Sequence, residues 1–141
     1  MVTKSAFYWY QGVLQDMYRI GVRCRFSAAH RLEGHPGRCS RLHGHSWAVE
    51  AVFADGDVSP AGMLLDFDDA KSALEGVVAP FDHCLLNEVE PFDSVAPTAE
   101  NVAKEIFGRL DPCARDSGWT AELESVTVWE SEDAWASFDG D

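Results

Sequence analysis

The stretch MYRIGVRCRFSAAH, residues 17–30, alternates in polarity with a period of two. One parity is apolar up to a terminal histidine and consists of Tyr18, Ile20, Val22, Cys24, Phe26, Ala28 and His30. The other parity carries Arg19, Arg23, Arg25 and Ser27. Because successive side chains of a strand point to opposite faces, this pattern predicts a half-buried strand.

A second strand is expected to start near Leu42, after a loop that contains Gly and Pro. Its odd positions share one face, namely His43, His45, Trp47, Val49, Ala51 and Phe53. Turn residues then lead to a helix that Asp66 or Asp68 can cap and that Pro80 ends. The inward stripe of this helix is predicted to be Phe67, Ala70, Leu74, Val77 and Val78.

A second helix is predicted to begin after Thr98, with Pro112 and Gly118 in the loop that follows it. Its inward residues are expected to be Val102, Ile106, Phe107 and Leu110. Alternation over residues 125–130 predicts another strand, and a short last strand is expected at 135–138. The order ββααββ favours an α+β fold, with two helices on one face of an antiparallel sheet.

The chain has 141 residues and a net charge of −13. An acidic chain is a poor ligand for nucleic acids and for anionic membranes, and no apolar run approaches the ~20 residues of a membrane span. We therefore expect neither nucleic acid nor membrane as a partner. Within residues 17–47, however, six arginines accompany one acid, Glu33. This segment is either a chance cluster or a local attractor for an anionic small molecule.

The chain is read as an N-terminal extension, residues 1–16, followed by a single domain, residues 17–141. The extension shows no clear hydrophobic period and no signal peptide. The four cysteines include no Cys-x-x-Cys pair, which is typical of free thiols in a reducing compartment. The cytoplasm is the expected location.

Three histidines lie on strand faces that are otherwise apolar. His43 and His45 are two residues apart and point the same way, and His30 ends the preceding strand. Three neutral imidazoles with an open fourth position describe a catalytic zinc site. The alternative is three buried, hydrogen-bonded histidines, but burying three unpaired imidazoles costs several kcal/mol.

Cys39 precedes the first of the paired histidines by four residues. It can be a fourth zinc ligand, which would make the site structural and closed. It can instead stand off the metal as a base or nucleophile, because its neighbours Arg38 and Arg41 favour the thiolate. Cys24 is expected in the core, and Cys113 in a loop.

Six short motifs follow one another after Met17. They are FSAAHRL (26–32), CSRLHGHS (39–46), LDF (65–67), FDHCLLN (81–87), PTAEN (97–101) and VTVWE (126–130). Their order resembles the 6-pyruvoyltetrahydropterin synthase / 6-carboxytetrahydropterin synthase family. The three-residue gap between Cys39 and His43 is similar to the bacterial queuosine-pathway branch, which makes 6-carboxytetrahydropterin.

The resemblance implies a role for each matching residue. His30, His43 and His45 correspond to the zinc ligands, and Glu130 to the carboxylate that anchors the pterin ring. The family's catalytic triad corresponds to Cys39, Asp82 and His83. The implied fold is the tunnelling fold, whose subunits assemble into barrels, often hexamers. The active sites of such homo-oligomers lie between subunits, with the triad split across two chains.

The implied reaction converts 7,8-dihydroneopterin triphosphate into 6-carboxytetrahydropterin, acetaldehyde and triphosphate. Zinc would act as a Lewis acid on the side-chain hydroxyls, while Cys39 and His83 would move protons. The arginine-rich segment could meet the triphosphate. Two alternatives stay open: a 6-pyruvoyltetrahydropterin synthase, and a non-catalytic structural zinc module.

Overall fold

The computed structural model describes residues 16–140 of the chain. The predicted extension, residues 1–16, lies outside the described residues apart from Asp16. The domain boundary that follows it stays a prediction. Among residues 16–140, neither helix combines the length and the apolar composition that a membrane span requires.

Two long antiparallel strands form the centre of the fold. Strand β1 spans Tyr18–His30 and β2 spans His43–Asp55, and they pair in one register from Tyr18 opposite Asp55 to His30 opposite His43. The predicted inward parity of β1 is buried from Val22 onward, and the ring of Phe26 stacks on that of Trp47 at 5.8 Å. Both predicted strands are therefore confirmed.

Helix α1 spans Phe67–Val78 and is capped by Asp66, whose carboxylate accepts the backbone N–H groups of Asp68 and Asp69. It ends before the 3₁₀ turn Ala79–Phe81, which contains Pro80. The predicted stripe is buried at Ala70, Leu74, Val77 and Val78. Phe67 was wrongly included: it is 63% exposed, because the buried residues begin only one turn later.

Helix α2 spans Ala99–Asp116, and its N-cap is Thr98, as predicted. The expected end before Pro112 is wrong, because the helix continues through this proline to Asp116. A proline removes only one backbone donor, and the last turn is held by the buried Ala114. Cys113 consequently lies exposed on this helix rather than in a loop.

The sheet has five strands in the order β3-β1-β2-β4-β5. Strand β4, Glu122–Trp129, is antiparallel to β2, and β5, Trp135–Phe138, is antiparallel to β4. The short β3, Cys84–Leu85, is parallel to β1, so the prediction of a purely antiparallel sheet is wrong. The cause is local, since the backbone N–H of His83 donates to the Ser27 carbonyl at 2.6 Å and aligns the chain with β1.

Both helices pack on one face of this sheet. The core residues there include Trp47, Val49 and Phe53 of β2, all fully buried. The opposite face, called the open face below, carries the exposed side chains of β1, among them Arg23, Arg25 and Ser27. The sequence alternation therefore sorts the histidines onto the helix-covered face and these arginines onto the open face.

Candidate metal centre

Strand register brings the three predicted histidines together at one end of the sheet. His30 lies opposite His43, and Ala28 lies opposite His45, so all three rings project from neighbouring positions of one face. Glu130, the residue directly after β4, completes the group. One ligand atom from each of the four residues lies within 4.8 Å of all the others.

Two backbone carbonyls set the tautomers of His30 and His43. The Nδ1 atom of His30 lies 2.8 Å from the Pro97 oxygen, and Nδ1 of His43 lies 2.6 Å from the Arg41 oxygen. Because a carbonyl oxygen can only accept, each Nδ1 carries the hydrogen and each Nε2 presents a lone pair. This is the arrangement that holds a metal-ligating imidazole in orientation.

The lone pairs of these two rings face one another, with Nε2 of His30 only 3.0 Å from Nε2 of His43. Two acceptors cannot hydrogen-bond to each other, so this approach is favourable only with a cation between them. A tetrahedral Zn²⁺ with bonds of about 2.0–2.1 Å separates its ligand atoms by about 3.3 Å. The observed spacing is close to that separation.

The third imidazole carries one of the two buried side-chain nitrogens that lack a hydrogen-bond partner in the described part of the chain, the other being Nε1 of Trp129. Nε2 of His45 is 2.9 Å from Glu130 Oε1, yet within residues 16–140 it has no hydrogen-bond partner. Burial lowers the pKa of His45 from its ordinary value of 6.5, although the nearby Glu130 carboxylate opposes this shift. We therefore expect a neutral imidazole, the form that binds metals.

Glu130 makes the group a mixed set of imidazole and carboxylate ligands. Its Oε1 lies 3.1 Å from Nε2 of His30 as well as near His45. Three imidazoles with one carboxylate suit zinc, and no sulfur is among the four grouped ligand atoms. Glu130, not Cys39, therefore holds the fourth position of this group.

Trp47 forms the floor beneath the histidines. Its ring lies 5.0 Å from the His30 ring and 5.5 Å from the His45 ring, and its Nε1 donates to the Ala28 carbonyl at 3.2 Å. The side chain is fully buried. A bulky, hydrogen-bonded floor excludes water from below and limits rotation of the rings.

Cys39 lies in the loop between β1 and β2, in the 3₁₀ turn Arg38–Ser40. It is half-buried, and its carbonyl accepts the N–H of Leu32 at 2.9 Å. The core position expected for Cys24 is confirmed, and burial, followed by the nearby Glu75 carboxylate, raises the pKa of that thiol to about 11. Cys24 is thus protonated at neutral pH.

Asp82 and His83 form a separate pair beside β1. Oδ1 of Asp82 accepts the backbone N–H of Ser27 at 2.9 Å and lies 3.0 Å from Nδ1 of His83. The Ser27 N–H, followed by the contact with His83, holds the pKa of the Asp82 carboxyl below its ordinary value. The His83 side chain is 82% exposed. Within residues 16–140, no hydrogen bond, ion pair or ring contact joins this pair to Cys39 or to the histidine group.

Comparison with known proteins places the chain in a family. The family model for 6-pyruvoyl tetrahydropterin synthase matches residues 19–141. The chain belongs to this synthase family. An Archaeoglobus fulgidus protein is 42% identical over 123 residues, which are 87% of this chain and 96% of the relative. The 6-carboxy-5,6,7,8-tetrahydropterin synthase of Haemophilus influenzae is 30% identical and aligns with 86% of this chain and 99% of its own.

The fold of this synthase family is also seen directly in a solved structure. The 6-pyruvoyl tetrahydropterin synthase of Caenorhabditis elegans superimposes with a TM-score of 0.78 at 27% identity, covering 90% of this chain and 98% of that one. The resemblance carried by the sequence motifs and the α+β tunnelling fold are thereby confirmed.

Several supporting groups of this synthase-family site escaped sequence reasoning. The Pro97 and Arg41 oxygens belong to the backbone and leave no side-chain signal. Trp47 lies on the same face of β2 as His43 and His45, so the alternation of the sequence could have predicted its position beside them. Glu130 was expected to bind substrate, and its closeness to the histidines depends on the β2–β4 pairing, which motif spacing does not give.

We expect the His43→Ala chain to lose its metal. The wild-type chain should retain about one zinc per chain after dialysis, and removal of one imidazole should weaken zinc binding by more than about 100-fold. Metal content measured by mass spectrometry checks this, with His35→Ala, an exposed loop histidine, as the matched control. Full zinc occupancy of the His43→Ala chain would show that the group does not hold the metal.

We expect the contribution of Asp82 to stability to depend on pH. A folded-state pKa below the unfolded value means that the ionised carboxylate stabilises the fold above about pH 4, and that this contribution is lost as pH falls through the lowered value. Urea unfolding of wild type and Asp82→Asn should therefore differ at pH 7, and this difference should be smaller at pH 3. A difference of equal size at both pH values would contradict this explanation.

Proposed function

We propose that this chain converts 7,8-dihydroneopterin triphosphate, with uptake of water, into 6-carboxytetrahydropterin, acetaldehyde and triphosphate. This would make it a zinc-dependent carbon–carbon lyase of queuosine biosynthesis. The observation that carries the proposal is the convergence of His30, His43, His45 and Glu130. The relative from Haemophilus influenzae, which bears the name of this activity, aligns over most of both chains.

The three histidines would hold the metal. A bound zinc ion would supply Lewis-acid chemistry at the hydroxyls of the substrate side chain and lower the barrier to deprotonation. The Nδ1 hydrogen bonds to the Pro97 and Arg41 carbonyls keep the rings of His30 and His43 oriented for this task. Burial favours the neutral state of His45, which has a lone pair available for a metal.

Glu130 is proposed to anchor the pterin ring. A carboxylate can accept two N–H groups from the amino-pyrimidine edge of the ring, much as it does from a guanidinium. The 2.9 Å distance from Oε1 to His45 supports this role, because a ring held there has its side chain beside the metal ligands. The same carboxylate can contact the metal group while no substrate is bound.

Cys39 and the Asp82–His83 pair are proposed to move protons. Cys39 would act as the base that takes a proton from a carbon of the substrate side chain. His83 would donate or accept a second proton through Nε2, because its Nδ1 faces the Asp82 carboxylate at 3.0 Å. The lowered pKa of Asp82 supports this role, since an ionised carboxylate fixes the tautomer of the imidazole.

The active site is proposed to lie between subunits of a homo-oligomer, with a hexameric barrel favoured. Among residues 16–140, Asp82 and His83 form no hydrogen bond, ion pair or ring contact with the other site residues, although His83 and His45 line one cavity. In the described part of the chain, β1 pairs with β3 only at Ala28 and Ala29, and β5 pairs only with β4. The edges of both strands are therefore available to a second copy.

The proposed location is the cytoplasm. All four cysteines are free, which fits a reducing compartment. The substrate is a small anionic pterin, and neither nucleic acid nor membrane is proposed as a partner. The net charge of −13 supports that exclusion.

We expect the Cys39→Ala chain to keep about one zinc and to lose turnover. Removal of a general base lowers kcat by about 10²–10⁴-fold. The measurement combines metal analysis with release of acetaldehyde from dihydroneopterin triphosphate, and Cys113→Ala, an exposed thiol, is the matched control. Loss of zinc together with the thiol would mean that Cys39 is a ligand rather than a catalytic residue.

The same assay separates the alternatives. A pyruvoyl product without acetaldehyde would identify a 6-pyruvoyltetrahydropterin synthase, the activity named for the similar Caenorhabditis elegans structure. A structural zinc module would form neither product. X-ray absorption would then show a sulfur ligand and no water on the metal.

We expect mixed oligomers of Cys39→Ala and His83→Ala chains to regain activity that neither variant has alone. If each site takes Cys39 from one chain and His83 from its neighbour, a random equal mixture restores about a quarter of wild-type activity. Co-expression of the two tagged variants provides the mixture, and light scattering measures its assembly. A mixture that assembles but stays inactive would contradict sites shared between chains.

A further inference from the structure

A cavity of about 570 Å³ lies on the open face of the sheet, away from the helices. Small residues of β2, among them Ser46 and Ala48, line it. In the strand register, Ala48 lies between Arg25 of β1 and Trp129 of β4. Because neighbouring strands are about 4.8 Å apart, the arginine and the tryptophan stand on two sides of a groove about 10 Å wide.

Two side chains beside this groove carry hydrogen-bond donors that have no partner in the described part of the chain. Within residues 16–140, the exposed Arg25 has no carboxylate within ion-pair distance. The Nε1 of Trp129 is buried and has no hydrogen-bond partner in the described part of the chain. Arg23 lies over the Trp129 ring at 5.8 Å and is paired with Glu50 at 3.0 Å.

Two carboxylates also line the cavity, Glu130 and Glu132. Glu130 is directed at His30 and His45, and Glu132 is exposed in the turn between β4 and β5. Both carboxylates follow the end of β4, whereas Arg23 and Arg25 lie on β1. Strand β2 separates β1 from β4 in the sheet. The cavity therefore has an arginine side and a separate acidic end.

We propose that Arg25, Arg23, Ser46 and Trp129 Nε1 bind the triphosphate chain of the substrate. An unpaired guanidinium and a buried N–H without an acceptor are both satisfied by phosphate oxygens. The same cavity is lined at its other end by His45 and Glu130. Arg25 lies three residues, about 10 Å, from Ala28, which is opposite His45, and an extended triphosphate ester spans such a distance.

This inference names the phosphate-binding residues of the proposed function and rests on it, but its test does not need turnover. The zinc-loaded chain is titrated with inorganic triphosphate in a calorimeter at fixed ionic strength. Arg25→Gln should raise the dissociation constant about tenfold, and Trp129→Phe, which keeps an aromatic ring but removes the indole N–H, about fivefold. Arg19→Gln is the matched control, because Arg19 is on the same strand and face, outside the cavity.

Two outcomes would overturn the inference. Equal weakening by Arg25→Gln and Arg19→Gln would mean general attraction to charge rather than a binding site. Binding that is lost in His43→Ala and unchanged in Arg25→Gln would mean that the anion binds at the metal. With an active enzyme, Arg25→Gln should also lower kcat/KM about tenfold for dihydroneopterin triphosphate and leave dihydroneopterin unchanged. Failure of the lyase activity alone would leave the calorimetric result standing.

Discussion

The approach of two imidazole lone pairs is the interaction on which the site depends. Nε2 of His30 and Nε2 of His43 are 3.0 Å apart, and the carbonyls of Pro97 and Arg41 prevent either ring from turning its N–H toward the other. Without a cation this arrangement is repulsive and buried. With a cation present, the strand pairing, the two tautomers and the packing of Trp47 would all favour the observed positions of the rings, so the hairpin has the geometry of a metal-binding element.

The parts of this site that the sequence predicts are those governed by the period of a strand. Alternation places three side chains on one face, and a hairpin register then makes them neighbours: His30, His43 and His45. Contacts set by tertiary pairing carry no such period. The parallel strand Cys84–Leu85 is too short to show alternation, and the Pro97 carbonyl has no side chain to reveal it. The predicted helix end before Pro112 is wrong because packing of the last turn of α2 stabilises the helix by more than the loss of one backbone N–H donor costs.

The two faces of the sheet offer different chemistry to the proposed substrate. The helix-covered face holds the three histidines, of which His30 is fully buried, whereas the open face holds arginines in contact with solvent. Glu130 lies where the faces meet, at the end of β4, and contacts the histidines while lining the open-face cavity. The proposed substrate has three parts that match these groups: a polar ring for Glu130, a hydroxylated side chain for the histidine group and an anionic tail for the arginines. A structural zinc module would have no use for the cavity.

His83 connects this chemistry to assembly through its backbone. Its φ of 57° is in the left-handed region, which costs a residue other than glycine about 1–3 kcal/mol at a constrained site. The hydrogen bonds of Ser27 to Asp82 and to the His83 N–H hold the chain in that conformation. The side chain gains no packing in return, because it projects into solvent at 82% exposure. The strained backbone and the exposed ring of His83 fit the proposal that this imidazole acts in a site shared with another subunit.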